Sequence, residues 1–259
     1  MLNKSELEEF LNEKYDLYNR PSFIDSDPIQ IPHQYPKKED IEIAAFLTST
    51  IAWGKRSMII NNAKKMMLAL QNNPYEFIIN GTDRDFDKTA FTGHRTFKPV
   101  DFQSFLKSLR NIYNNYGGLE NIFTTGYKKE KSVFSSIKYF REIFFELPHE
   151  QRTEKHIANV LKNSAAKRIN LFLMWMVRND SRGVHFGIWN DIPTSKLIIP
   201  LDVHSGNTAR ALELLSRKQN DRKAAIELTE NLQKFDNNDP VKYDFALFGT
   251  GVFEGFGKI

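Results

Sequence analysis

The chain has 259 residues, 41% of them hydrophobic and 21 of them Phe, enough for an aromatic-rich core in one large domain or two lobes. It has no Cys, which excludes disulfides, thiolate zinc sites and iron–sulfur clusters and suits a reducing, cytoplasmic setting. The net charge of +4 is uneven: residues 1–50 carry 5 Lys/Arg and 10 Asp/Glu, a net of −5, while the remainder carries 31 against 22, a net of +9, a basic body compatible with a polyanionic partner.

The first residues, MLNKSELEEFLNEKY, are charged and lack the apolar core of a signal peptide. No later segment is apolar enough to span a bilayer, so no membrane partner is expected. Ser5-Glu6-Leu7-Glu8 reads as a capping box that opens a helix to about Asn19. The stretch from Pro21 to Pro36 reads as a loop. Asp40 to Trp53 predicts a buried helix, broken by Gly54. A more amphipathic helix follows through Leu70 and ends at Asn72-Asn73-Pro74.

Residues 81–100 are polar, aromatic and irregular. Asp101 then caps a strongly periodic helix carrying Phe102, Phe105, Leu106, Leu109, Ile112, Tyr113 and Tyr116, stopped by Gly117-Gly118. Further helices are expected over Ser132–Leu147, from Thr153 to Leu161, over Ala165–Val177, over Val203–Leu215 and from Asp221 to about Phe235. Asp239-Pro240 opens the last one, which stops at Gly249. Repeats, low-complexity tracts and strand ladders are not evident. The expectation is an all-α fold with about eleven helices. It is a single helical domain over residues 1–259, with two lobes around a cleft: about 40–160, and 161–259 plus the N-terminal helix.

The segment from Asn179 to Pro200 is long for an aperiodic connection, and such loops are often functional. It holds Arg182, His185, Trp189 and Asp191. The plainer reading is an ordered surface excursion without a role.

Lys167 opens an apolar helix containing Ile169, Leu171, Phe172, Leu173 and Trp175. A lysine becomes a nucleophile when desolvation or a neighbouring cation, such as Arg168, frees its amine. The plainer alternative is a solvated lysine at a helix end. Asp202 follows an apolar run and is placed to cap the next helix. Capping alone accounts for an aspartate there. The functional reading adds a carboxylate that faces a cleft, is kept ionised by the helix N-terminus and stabilises positive charge during a reaction. His204 reads as structural, because the other histidines are scattered and no metal-ligand spacing appears.

The run Ile199-Pro200-Leu201-Asp202-Val203-His204, followed by Ala209-Arg210, resembles the signature of the helix-hairpin-helix DNA glycosylases, a superfamily that includes endonuclease III and the 8-oxoguanine glycosylases. Leu161 to Lys167 lies where that family has its L-P-G-V-G-x-K hairpin. The leucine and the lysine match, while Asn163 and Ala165 replace the glycines. Asn170, Phe46-Leu47-Thr48-Ser49-Thr50 and Asp244 to Gly251 resemble further family elements. The chain also resembles an uncharacterised bacterial family with KRxNLFLxWMVR and PLDxH elements.

The glycosylase resemblance implies a two-lobed helical fold and a repair enzyme acting on damaged DNA; the family's iron–sulfur cysteines are missing here, so no cofactor is expected. Lys167 would then be the Schiff-base nucleophile and Asp202 the catalytic carboxylate. The target nucleotide would be flipped out and stacked on Trp53, Phe172, Trp175 or Trp189. Lys162, Arg168, Arg178, Arg182 and Arg210 would contact phosphates. The missing hairpin glycines favour an alternative, a non-catalytic nucleic-acid or protein-binding module on the same fold.

Overall fold

The computed structural model describes residues 2–257. Among these residues it holds twelve α-helices, several 3₁₀ turns and no strand, with one isolated bridge between His94 and Phe97. The fold is all-α. Among the described residues no helix is long and apolar enough to cross a membrane. The chain divides into two compact units: Ser26–Asn159, and the described residues up to Asp25 together with those from Val160 onward.

Helix α1 (Lys4–Tyr18) is capped by Asn3 rather than Ser5. The Asn3 side chain accepts the Glu6 N–H at 3.0 Å, and Glu6 returns to the Asn3 N–H at 2.8 Å. Asn and Ser are comparable in that role, and Asn3 and Ser5 each have a glutamate three residues on, so local preference alone does not choose between them. The Pro-rich stretch is not an irregular loop but three 3₁₀ turns, Pro21–Ser26, Pro28–Gln30 and Pro32–Gln34. Each begins on a proline, whose fixed φ suits a first helical position and whose missing N–H would have no partner there.

The unit Ser26–Asn159 is built around α2 (Lys38–Thr50), which is buried from Asp40 to Thr50. Its two inward acids are matched, as burial of a carboxylate demands. Asp40 accepts the Tyr75 N–H at 2.8 Å, and Glu42 accepts the Tyr113 hydroxyl at 2.6 Å. Helices α3 (Arg56–Ala69) and α4 (Pro74–Asn80) pack on α2, and α5 (Asp83–Asp87) packs on α6 (Pro99–Asn115). The closing pair is α7 (Leu119–Glu130) with α8 (Val133–Phe144). Phe46 of α2 meets Phe105, Phe140 and Phe144 at centroid distances of 5.9, 5.5 and 5.6 Å. Helices α7 and α8 approach closely at Gly126, where a Cβ would lie 2.8 Å from the Ser136 Cα.

Helices α4 and α7 were not anticipated from the sequence, nor was α5, which lies within the stretch 81–100 read as irregular and is opened by a Thr82–Asp85 capping box. Pro74 opens α4 instead of ending the preceding segment, because proline is as acceptable at a first helical position as it is disruptive within one. Gly117 and Gly118, at φ 71° and 93°, end α6 and lead directly into α7. Asp101 is the third residue of α6, not its cap, and its carboxylate reaches back to the Lys98 N–H at 2.8 Å. The short helix expected from Thr153 to Leu161 is instead two 3₁₀ turns, Gln151–His156 and Val160–Lys162.

In the second unit, α1 is joined by α9 (Lys167–Val177), α10 (Val203–Ala211), α11 (Arg222–Gln233) and α12 (Asp244–Gly249). Helix α12 packs on α1 and α10. Gly249 lies so close to Tyr18 that a Cβ would be 2.2 Å from the ring. The chain does not stop helically at Gly249, whose φ is −60°, but continues through one π-helical turn, Thr250–Glu254.

The Asn179–Pro200 segment belongs to this unit's core. Val184, Trp189, Ile192, Leu197 and Ile199 are buried. The Phe186 N–H donates to the Trp175 carbonyl at 2.9 Å, and the Trp189 N–H to the Met176 carbonyl at 3.0 Å. The loop thus supplies donors to carbonyls in the last turn of α9, which a helix end leaves without intrahelical partners.

Candidate functional site

The Lys167–Asp202 pair is assembled from two helix starts. Ala166 precedes α9 in the left-handed conformation (φ 51°, ψ 35°) and offers no side-chain cap. Asn163, three residues earlier, is also left-handed at φ 59°. These two reversals turn the chain between the Val160–Lys162 turn and α9. Asparagine tolerates that region and alanine does so only with strain. The turn is anchored from outside. The Asn163 side-chain amide donates to Asp221 Oδ2 at 3.0 Å, and the Arg222 N–H donates to the Asn163 carbonyl at 3.0 Å, so the first residues of α11 fix its position.

Asp202 caps α10. Its Oδ1 accepts the Ser205 N–H at 2.9 Å and the Ser205 hydroxyl at 3.0 Å. Its Oδ2 lies 3.1 Å from Lys167 Nζ, with the lysine side chain 33% exposed and the aspartate 11%. Burial pushes the Asp202 carboxyl up. The Lys167 charge and the donors of Ser205 outweigh this and hold it below the ordinary carboxylate range. The result is an ionised carboxylate, largely shielded, touching an amine that solvent reaches. Such a pair can place a nitrogen nucleophile and a fixed negative charge against the same atom of a ligand. Ser205 escaped the sequence reading, although Asp202-x-x-Ser205 is a reciprocal capping pattern visible in the sequence.

His204 is exposed, with its ring edge-on to Phe248 at 6.3 Å. Lys162 is exposed just before the turn. Arg168 is half-buried, and burial lowers its guanidinium from the usual value. Arg182 is half-buried and bonds Asp16 at 2.6 Å. Arg210 is half-buried, donating to the Arg217 carbonyl at 2.9 Å and to Asn220 Oδ1 at 2.6 Å.

Arg178 corrects the sequence expectation. It is 0% exposed and cannot meet a phosphate from its observed position. Its Nε donates to both Asp239 oxygens, at 2.8 and 3.0 Å, and Nη1 lies 2.7 Å from Asp180 Oδ2. Nη2 donates to the Tyr15 hydroxyl at 3.0 Å. Nη1 also lies 3.2 Å from His185 Nδ1, which must accept because a guanidinium has only donors. Arg178 therefore ties the end of α9 to α1 and to the turn before α12.

The proposed aromatic wall is corrected as well. Phe172, Trp175 and Trp189 are 0, 2 and 1% exposed. Phe172 and Trp189 pack edge to face at 5.3 Å, as core residues do. Helical apolar spacing marks burial, and it cannot tell a ligand-stacking ring from a packed one. Trp53 belongs to the other unit, half-buried between the rings of His94 (4.9 Å) and His156 (6.3 Å).

Residues 27–253 match the family described as a protein of unknown function (DUF2400), and the chain belongs to that family. No curated protein and no solved structure matches it.

Proposed function

We propose that this DUF2400 member is a DNA glycosylase-like base-excision enzyme with lyase activity on damaged DNA. The observation that carries the reading is the 3.1 Å approach of Lys167 Nζ to an ionised, mostly buried Asp202. In this mechanism a nucleotide is extruded from the duplex. The Lys167 ammonium gives up a proton to water, and the freed amine attacks the anomeric carbon as the bond to the base breaks; the base leaves with the electron pair and takes up a second proton from the nitrogen. Asp202 stabilises the cationic character that builds up on the sugar, through a charge already in place before reaction. Loss of the ring C–O bond then gives a protonated imine. Water takes a C2′ proton, the C3′–O bond breaks so that the 3′ phosphate leaves with its electron pair, and a further water adds to C1′ as the C1′–N bond breaks and frees the lysine amine.

Lys162, exposed just before the turn, supplies a phosphate contact in this reading. Borohydride reduction during incubation with duplexes carrying a damaged base or an abasic site tests the reading. A covalent adduct is expected with the wild-type protein and none with Lys167→Ala. An adduct of undiminished rate in Lys167→Ala sinks the choice of nucleophile. A second reading rests on the reciprocal cap of Asp202 with Ser205, which explains the aspartate without chemistry. It predicts duplex binding with no adduct from either protein.

A further inference from the structure

We propose that Asn170 is a positioning residue for Lys167: it holds the Asn163–Ala166 reversal so that the lysine meets Asp202. The inference rests on the base-excision reading of that pair but begins from independent geometry. Asn170 lies one helical turn beyond Lys167 and is 1% exposed. Its side-chain amide donates to the Ala165 carbonyl at 2.9 Å, and its backbone N–H donates to the Ala166 carbonyl at 2.9 Å. Two consecutive carbonyls of the turn are thus held by one residue of α9.

The hold matters because the turn's own support is slight, a single bond from the Ala166 N–H to the Ser164 hydroxyl at 3.2 Å. Ala166 adopts a left-handed conformation that disfavours any side chain, and it provides no cap to the helix it introduces. An alanine there drifts toward ordinary φ unless its neighbours are pinned. Such drift would rotate the first residue of α9, which is Lys167.

The second sign of a dedicated role is the unfavourable chemistry of the residue itself. The Asn170 side-chain oxygen is buried with no hydrogen-bond partner among the described residues. Its neighbours along the helix, Ile169, Phe172, Leu173 and Met174, are all buried. A shape-matched apolar side chain would remove that buried oxygen and satisfy the core equally well. What it could not supply is the donor to the Ala165 carbonyl.

The test compares wild type, Asn170→Ala, and Asn170→Ala combined with Ala166→Gly, which reaches positive φ freely. Three readouts are taken: the single-turnover rate of borohydride trapping on an abasic duplex, the duplex Kd, and the ¹³C titration of the Asp202 carboxyl. Asn170→Ala should slow trapping by about tenfold or more, as misplacement of a reacting group does, with Kd unchanged. The Asp202 titration should move up as Lys167 is released, and the added glycine should restore most of both. A variant that only melts earlier, with trapping and the Asp202 titration unmoved, overturns the proposal. Absence of any adduct from wild type defeats the base-excision reading instead. In that event the Asp202 titration still decides: a glycine-rescued shift supports Asn170 as the residue that holds the pair, and no shift rejects it. Should Asn170→Ala not fold, Asn170→Ser, whose hydroxyl is too short to span the same gap, carries the same comparisons.

Discussion

Replacing Arg178 by Met should be among the most damaging single changes in the protein while leaving the Lys167–Asp202 pair untouched. Met nearly matches the side-chain volume and removes the charge. Asp180 and Asp239 then lose their shared cation, and the Tyr15 hydroxyl and His185 Nδ1 lose a donor. Removing one member of a buried charge cluster costs about 3–5 kcal/mol, because the remaining charges stay desolvated. That is a large part of the roughly 5–15 kcal/mol by which a domain is stable. It corresponds to a fall in Tm of roughly 10 °C for a chain of this size.

The acid response supplies an independent check. Burial raises the Asp180 carboxyl, but Arg178 and the Asn19 and Arg182 donors bring it from 3.8 down to about 2. Its stabilisation is present above the unfolded value and is lost as pH falls from about 4 through about 2, at most about 2 kcal/mol over that window. Asp239 is raised, chiefly by burial, so its contribution has the opposite sign: stability falls as pH rises past its unfolded value. Arg178→Met should abolish most of the Asp180 component and deepen the Asp239 penalty at neutral pH. Urea melts of both proteins between pH 2 and pH 7 measure this. The triple change Arg178→Met, Asp180→Asn, Asp239→Asn should recover part of the loss at pH 7. A loss under about 1 kcal/mol in Arg178→Met, or an unaltered pH profile, would refute the account of the cluster.

Asp202→Asn should keep the cap on α10 and melt within about 0.5 kcal/mol of wild type, while Asp202→Ala should lose about 1 kcal/mol. On the proposed chemistry both should slow base excision by on the order of 10²–10³, so equal rates in Asp202→Asn and wild type count against a catalytic carboxylate. Trp189→Ala should destabilise by about 3–5 kcal/mol through the cavity it leaves. Where it folds, its duplex affinity should match wild type, and a selective loss of affinity would restore a recognition role to that ring. Ala166→Gly should be neutral to stabilising by up to about 1 kcal/mol, since relief of left-handed strain is offset by the greater freedom of an unfolded glycine. A clear destabilisation in thermal melts would show that Ala166 is held by contacts rather than strained.

The sequence by itself determined the helical class and most of the helices. Period-3.6 apolar spacing in segments such as Phe102–Tyr116, and stops at Gly117-Gly118, are local properties of the chain. It also placed Asp202 at a helix start, because capping is decided by the residue and its next three neighbours. Local chemistry left α4 and α7 hidden, since Pro74 and the Gly117-Gly118 pair are equally consistent with ending a helix or beginning one. Only the tertiary structure decided which of the chemistry-bearing residues are accessible. Arg178 immediately precedes the irregular segment, and Arg182 lies near its start. The first is sealed by carboxylates brought from residues 180 and 239, the second only half covered. Trp175 and Trp189 became core because the Asn179–Pro200 segment folds onto the end of α9, a pairing that no sequence spacing encodes. The meeting of Lys167 with Asp202 is of the same kind. Each residue is legible alone, and their 3.1 Å approach depends on a left-handed turn at Ala166 that local preference disfavours and the surrounding contacts impose.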